Sequence, residues 1–148
     1  MIISQTLEYA LRAVVFIGSG NGTPFTTLQI SQATKVPQAY LAKVLQSLVK
    51  EKIIQSQRGL GGGFILAKEP AKIKILDIVT AVDPIERIVT CPLKLKSHGS
   101  NLCRLHQQLD DAIALIESTF NTSTIADLIN KPTTVKPLCD FPNQKIVS

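Results

Sequence analysis

The sequence predicts a mostly α fold with a small β-hairpin wing: a winged helix-turn-helix followed by a long C-terminal dimerisation helix. Three observations carry this reading. Three helical segments precede residue 52, marked by apolar spacing or by helix-start signals. A glycine-rich hairpin signal then occupies residues 53–67. Finally, Leu102, Leu105, Leu109, Ala112 and Ile116 step by three and four residues, the spacing of a helix that packs against a partner helix.

Taken in order, Leu7, Ala10, Leu11, Val14 and Val15 share one helical face, and the breakers "GSGNG" end that pattern. "TTLQ", residues 26–29, has the form of a capping box, with Thr26 accepting from the Gln29 amide and Gln29 reaching back. It predicts a short second helix to about Thr34. Pro37 suits the first turn of a third helix, where its missing N–H would have had no intrahelical partner. That helix is expected to run to about Lys52.

Within the third helix, Leu41, Val44, Leu45 and Leu48 fall on one arc, the buried one. Gln38, Ala39, Ala42, Lys43 and Gln46 occupy another, which is polar, small and basic. Two β-type runs, residues 53–58 and 64–67, flank four glycines in five residues and predict a hairpin. "GLGGG" is followed by a strand and not by a helix, which argues against a phosphate-binding loop. Glycines let a hairpin tip approach another backbone, and Arg58 at its base suits a narrow minor groove. A plain flexible turn is the simpler reading of the glycines alone; three helices ahead of the hairpin favour the wing.

Ile75, Ile78, Val79 and Val82 predict a fourth helix ending near Asp83 and Pro84. The later stripe, widened by Ile113, predicts a dimer; packing of the same stripe back onto its own domain is the alternative that two heptads leave open. "TIAD", with Thr124 and Asp127, caps a last short helix. The expected organisation is a DNA-binding unit over residues 1–83, a Cys/His loop over 84–104, the dimerisation helix and short terminal helix over 105–130, and a tail over 131–148.

Composition narrows the function. At 148 residues, with 45% hydrophobic and 18% charged side chains, the chain suits a folded domain and contains no run long enough for a membrane span. Glu8 and Arg12 interrupt the apolar N-terminal stretch and no basic n-region precedes it, so a cytoplasmic protein is expected. Residues 1–70 hold seven Lys/Arg against three Asp/Glu, whereas residues 71–148 hold nine against eight. The basic surplus belongs to the N-terminal half, which raises the expectation of a polyanion partner. Cys91, Cys103 and Cys139 are too few and too unevenly spaced for a disulfide framework, which favours reduced thiols or a metal site.

"YALRAVVFI", "VPQAYLAKVLQSLVKEKIIQSQRGLGGGFILAK" and "ILDIVTAVD" together resemble the Rrf family of bacterial transcriptional regulators, over about residues 1–130. The resemblance implies a homodimer on double-stranded DNA with a pseudo-palindromic operator. The third helix would read a major groove, the wing would enter the minor groove, and a C-terminal helix would cross to the partner. Gln38, Ala39, Ala42 and Lys43 match the base-facing start of the family's recognition helix, and Arg58 its wing arginine. With Tyr40, Gln46, Gly59 and Gly61 they form the candidate DNA-contacting set. Leu105, Leu109, Ala112, Ile113 and Ile116 form the candidate dimer interface.

"CPLKLKSHGSNLCRLH" carries the remaining chemistry. Cluster-binding members of the family carry C-x5-C-x5-C here, often with a histidine three residues on. Cys91, Cys103 and His106 fit that frame, while Ser97 stands at the middle cysteine position. The resemblance therefore implies an iron–sulfur cluster, of the 2Fe-2S type, held by Cys91, Cys103 and His106, with Glu8 of the partner subunit as fourth ligand. Thiolate and imidazole both suit iron. Cys91, His98, Cys103 and His106 are alternatively a two-Cys, two-His set suited to tetrahedral zinc. A third alternative is a cofactor-free regulator controlled by a protein partner or by thiol state, with the cysteines acting as small buried hydrophobes. Cys139 is a bystander in all three. Cys103 and His106 share a helical face, but no orienting Asp/Asn pattern accompanies them, which argues against an enzyme.

Overall fold

The computed structural model describes residues 2–130. Its elements are α1 (Gln5–Ser19), α2 (Thr27–Thr34), α3 (Gln38–Lys50), β1 (Ile54–Gln57), β2 (Gly63–Leu66), α4 (Ile75–Val82), α5 (Arg104–Thr122) and α6 (Ile125–Asn130). Short 3₁₀ turns at Pro70–Lys72 and Lys96–His98 punctuate the connections. Three helices and an antiparallel hairpin, in that order, make a winged helix-turn-helix. Cys139 lies outside the described residues.

α1 is the hub, packing against α2, α3, α4, α6 and β2. Its sequence permits this because Ala10, Ala13 and Gly18 are small where neighbours come closest. A Cβ on Gly18 would lie 2.8 Å from the Ile129 side chain of α6. Ser4 caps the helix by accepting from the Leu7 amide at 3.2 Å. At the start of α2, the amide of Gln29 donates to Thr26 Oγ1 at 3.2 Å. The amide of Thr26 donates to Gln29 Oε1 at 2.8 Å, completing the reciprocal box. Pro37 sits at the N-cap of α3, one position earlier than its ring alone would indicate, and α3 stops at Lys50. It stops because Lys52 takes a left-handed φ of 57° and the Ile53 amide returns to the Leu48 carbonyl.

Leu41, Val44, Leu45 and Leu48 are buried against Ile17, Ile30, Val36, Ile54 and Ile78, at about 1.5–3 kcal/mol for each fully buried aliphatic side chain. The hairpin pairs Ile54 with Leu66 and Gln57 with Gly63. β1 is shorter than the β-type run over residues 53–58, because Arg58 already belongs to the glycine turn. β2 keeps the length of the run over 64–67 but begins one residue earlier, at Gly63, which pairs with Gln57. A second pairing fixes the wing to the body: Phe64 donates to the Phe25 carbonyl at 2.7 Å and Phe25 donates back at 3.1 Å.

Gly63 makes that pairing possible, since an added Cβ would lie 2.5 Å from the Phe25 carbonyl carbon and oxygen. Gly63→Ala is therefore expected to destabilise by on the order of 3 kcal/mol, because backbone on both sides has to move. Gly61 differs: an added Cβ meets nothing within 4 Å, and only its φ of +72° opposes substitution. Gly61→Ala should cost about 1 kcal/mol. Urea unfolding of the two variants side by side checks the contrast, and equal losses would contradict it.

The C-terminal helices return to the first core. Ile75 donates to the Ser123 carbonyl at 2.9 Å and Ile125 to the Ile73 carbonyl at 2.8 Å, bringing the fully buried Ile125 beside α1. Thr124 and Asp127 exchange hydrogen bonds of 2.9–3.2 Å at the start of α6, as the capping motif predicts. α5 lies over α4. It turns Asp110, Ile113, Glu117 and Phe120 toward its own domain while Leu105, Leu109, Ala112 and Leu115 stay exposed. Ile113 and Ile116 are half-buried within the protomer, where they line a cavity of about 230 Å³ with Leu7, Ile85 and Phe120. The outward apolar arc of α5 is thus Leu105, Leu109 and Ala112 with Ile116 at its edge. No helix among the described residues is long and apolar enough to cross a membrane.

Candidate nucleic-acid interface and sensor segment

The turn between α2 and α3 is held by side chains, which fixes the angle at which α3 is presented. Arg12 Nη1 donates to the Thr34 carbonyl at 3.0 Å, satisfying an orphan acceptor at the end of α2. Ser31 Oγ donates to the Val36 carbonyl at 2.6 Å. Lys35 takes the left-handed conformation between them, and Val36 is buried.

Gln38, Ala39, Ala42, Lys43 and Gln46 are all exposed on the resulting face of α3. Tyr40 is held more firmly than its neighbours. Its ring packs edge-on to Tyr9 at 5.5 Å and its hydroxyl bonds Thr6, tying the start of α3 to α1. A shallow cleft separates α3 from the hairpin; Thr27, Ala42, Gln46, Lys50, Ser56 and Phe64 are among the residues that line it. Arg58, Gly59, Leu60 and Gly61 are exposed at the hairpin tip.

Sequence reasoning passed over three features of this surface. Leu60 is fully exposed at the tip. Lys52 and Lys68 join Arg58 on one open cleft beside β1, and no acidic residue lines it. The charge excess of the first 70 residues was the available signal for the two lysines; nothing local marked them, because the hairpin alone brings residues 52, 58 and 68 together.

The Cys/His segment connects α4 to α5. Cys91 is buried, 5% exposed, and Cys103 is the N-cap residue of α5 without making a side-chain capping bond. Cys103 Sγ lies 3.2 Å from His106 Nδ1, one helical turn on. Two of the implied ligands are thus adjacent, and their soft sulfur and imidazole nitrogen fit iron or zinc. Ser97 is exposed on the 3₁₀ turn, and the Nδ1 of neighbouring His98 is buried without a hydrogen-bond partner. Among the described residues no three His, Cys, Asp or Glu side chains of the one chain are gathered as a metal set. Glu8 sits on α1, where its Oε1 accepts from Arg12 Nε at 2.6 Å.

The loop ahead of Cys91 is anchored to α5. Arg87 donates from Nε to Asp110 Oδ1 at 2.8 Å and from Nη2 to Oδ2 at 2.7 Å, and the Ile88 amide donates to Oδ1 at 2.9 Å. Arg87 holds the Asp110 carboxyl below the usual carboxylate range, mainly through its hydrogen bonds and against the desolvation that opposes them.

The chain matches the family model Rrf2, described as an iron-dependent transcriptional regulator, over residues 3–131. It is 35% identical over 133 residues to a helix-turn-helix-type regulator sequence of Aquifex aeolicus (strain VF5), covering 88% of this chain and 92% of that one. Its identity to the HTH-type transcriptional regulator IscR of Yersinia pseudotuberculosis serotype O:1b (strain IP 31758) is 32% over 132 residues, covering 88% and 80% of the two chains. Among solved structures, T. potens IscR superposes with a TM-score of 0.69 at 25% identity, covering 85% of this chain and 84% of that one. The global cysteine regulator CymR of B. subtilis shares the fold, with a TM-score of 0.70 at 22% identity, covering 85% and 94%. With the winged helix, the exposed polar face of α3 and a match spanning nearly all described residues, the chain belongs to the Rrf2 family of transcriptional regulators and is not an enzyme.

Proposed function

We propose that the chain works as a homodimer on a pseudo-palindromic operator, with DNA affinity set by an iron–sulfur cluster at the sensor segment. The observation that carries the DNA part is the shared exposure of Gln38, Ala42, Lys43 and Gln46 beside a wing whose tip presents Arg58. Gln38 suits bidentate pairing with an adenine edge, Lys43 suits guanine or phosphate, and the alanines offer methyl contacts. Lys52 and Lys68 supply backbone charge next to Arg58.

The cluster part rests on the 3.2 Å approach of Cys103 to His106, with the buried Cys91 on the same connection. Cys91, Cys103 and His106 would hold the cluster together with Glu8 of the partner subunit. Bound there, a cluster supplies redox-sensitive bonds between the DNA-binding and dimerisation elements. This chain's residues provide the two-state coupling: α5 carries His106, with Cys103 at its N-cap, together with the proposed dimer face, so a change at its start would alter the spacing of the two α3 helices.

Zinc at Cys91, His98, Cys103 and His106 is the second reading, and the unpartnered buried Nδ1 of His98 favours it. Zinc without sulfide in anaerobically purified protein would decide for it.

Operator binding by fluorescence anisotropy at physiological salt tests the DNA assignment. Arg58→Ala is expected to weaken binding about tenfold, chiefly at sites with A·T-rich flanks. Gln38→Ala should relax base preference at one position of each half-site, by about 1–3 kcal/mol. Unchanged affinity in Arg58→Ala would remove the wing from the interface.

A further inference from the structure

We infer that Arg87 and Asp110 form a positioning latch, which holds the chain entering Cys91 against the α5 face that carries Cys103 and His106. The inference deepens the sensor reading above and rests on it for its purpose, while the latch itself is tested separately.

Asp110, 7% exposed, is the one buried residue among the 19 of α5, and its carboxylate accepts three hydrogen bonds from a single loop. The donors are 22 and 23 residues away in sequence, so the contact is wholly tertiary. Residues 84–90 form no helix or strand. Their order depends on side-chain anchors, and Ile85 is one, lining the cavity against Ile113, Ile116 and Phe120.

The latch is placed where it matters. Asp110 follows His106 by four residues and Cys103 by seven, which puts all three on one helical face. Ile88, bonded to the same carboxylate, precedes Cys91 by three residues. One carboxylate thus sets where Cys91 stands relative to the Cys103–His106 pair. An exposed ion pair would be worth too little to hold a loop. This pair is bidentate, and removing Arg87 would strand the buried Asp110 carboxylate without its counter-ion. The branch to Glu117, at 3.4 Å between half-exposed side chains, is secondary.

Thiol alkylation of the full chain, reduced and stripped of metal, isolates the latch from any cluster. Iodoacetamide labelling followed by peptide mass spectrometry reads Cys91 and Cys103 separately. Asp110→Asn, close in shape but uncharged, is expected to raise the Cys91 rate about tenfold while Cys103 changes less than about twofold. Arg87→Lys, which keeps charge without the fork, should fall between that variant and wild type. Glu117→Gln should match wild type. Wild-type Cys91 reactivity in Asp110→Asn, or an equal rise at both cysteines, would overturn the latch. Should Asp110→Asn lose its cooperative unfolding transition, Arg87→Lys carries the same comparison, and a Cys91 rate equal to wild type there would overturn it too. Anaerobic loading with iron and sulfide gives the second readout, where visible absorbance should decay faster in Arg87→Lys than in wild type. If wild type takes up no iron, the sensor reading fails while the labelling result on the latch stands.

Discussion

Anaerobically purified protein carrying Cys91→Ala together with Cys103→Ala is expected to be colourless, with iron and acid-labile sulfide both lost. The expectation follows from donor chemistry. Among the described residues, thiols occur at Cys91 and Cys103, and removing both leaves only an imidazole and a carboxylate for a cluster that needs sulfur ligands. Ser97→Ala should retain colour, because its hydroxyl is exposed on a 3₁₀ turn, and so should Cys139→Ala, because Cys139 falls outside the C-x5-C-x5-C frame. Glu8→Ala should shorten cluster lifetime without changing the unfolding transition, since its ion pair with Arg12 is half-exposed and contributes little to stability. Full iron content in the double alanine variant would sink the site. Retained metal in wild type that is lost in His98→Ala, as zinc and without sulfide, would move the assignment to the two-Cys, two-His set.

Much of the DNA-binding half is legible locally. The Thr26–Gln29 box, the apolar arc of α3 and the glycine turn each depend on residues within a few positions of one another, so periodicity and turn chemistry suffice to place them. The parts that escaped depend on distance. A helical wheel puts Asp110 outside, because a lone carboxylate does not enter a core; Arg87, 23 residues earlier, reverses that outcome by pairing with it. The inward face of α5 accordingly includes Cys103, His106, Asp110 and Ile113, neighbouring the leucine arc chosen from spacing. The return of Ile125 to the α1 core was equally invisible, since its backbone partner is Ile73. Cys91, Cys103 and His106 were recoverable from a motif frame, whereas the unpaired Nδ1 of His98 appears only once the loop is folded.

Leu105→Glu combined with Leu109→Glu should convert a dimer into a folded monomer and lower operator affinity by about a hundredfold or more, because two half-sites then bind independently. The structure supplies the reason. α5 is a 19-residue helix in which Asp110 alone is buried, while Leu105 and Leu109 are 63% and 47% exposed on one arc with Ala112. Helices of this length owe their stability chiefly to packing of an apolar face, and the inward face of α5 carries mixed polar and apolar groups. The outward leucines are the surface left to be covered, and in the proposed homodimer a second copy offering the same arc would cover it with two-fold symmetry. Their exposure in one protomer also makes the test selective. Replacing them should change protomer stability by only about 0.5 kcal/mol, so a lost dimer is not mistaken for a lost fold. Sedimentation equilibrium at micromolar concentration reads the mass, and circular dichroism of the same samples confirms the helices. A variant that remains dimeric would place the interface elsewhere. A monomer that still binds a full operator with wild-type affinity would show that the two wings do not act as a pair.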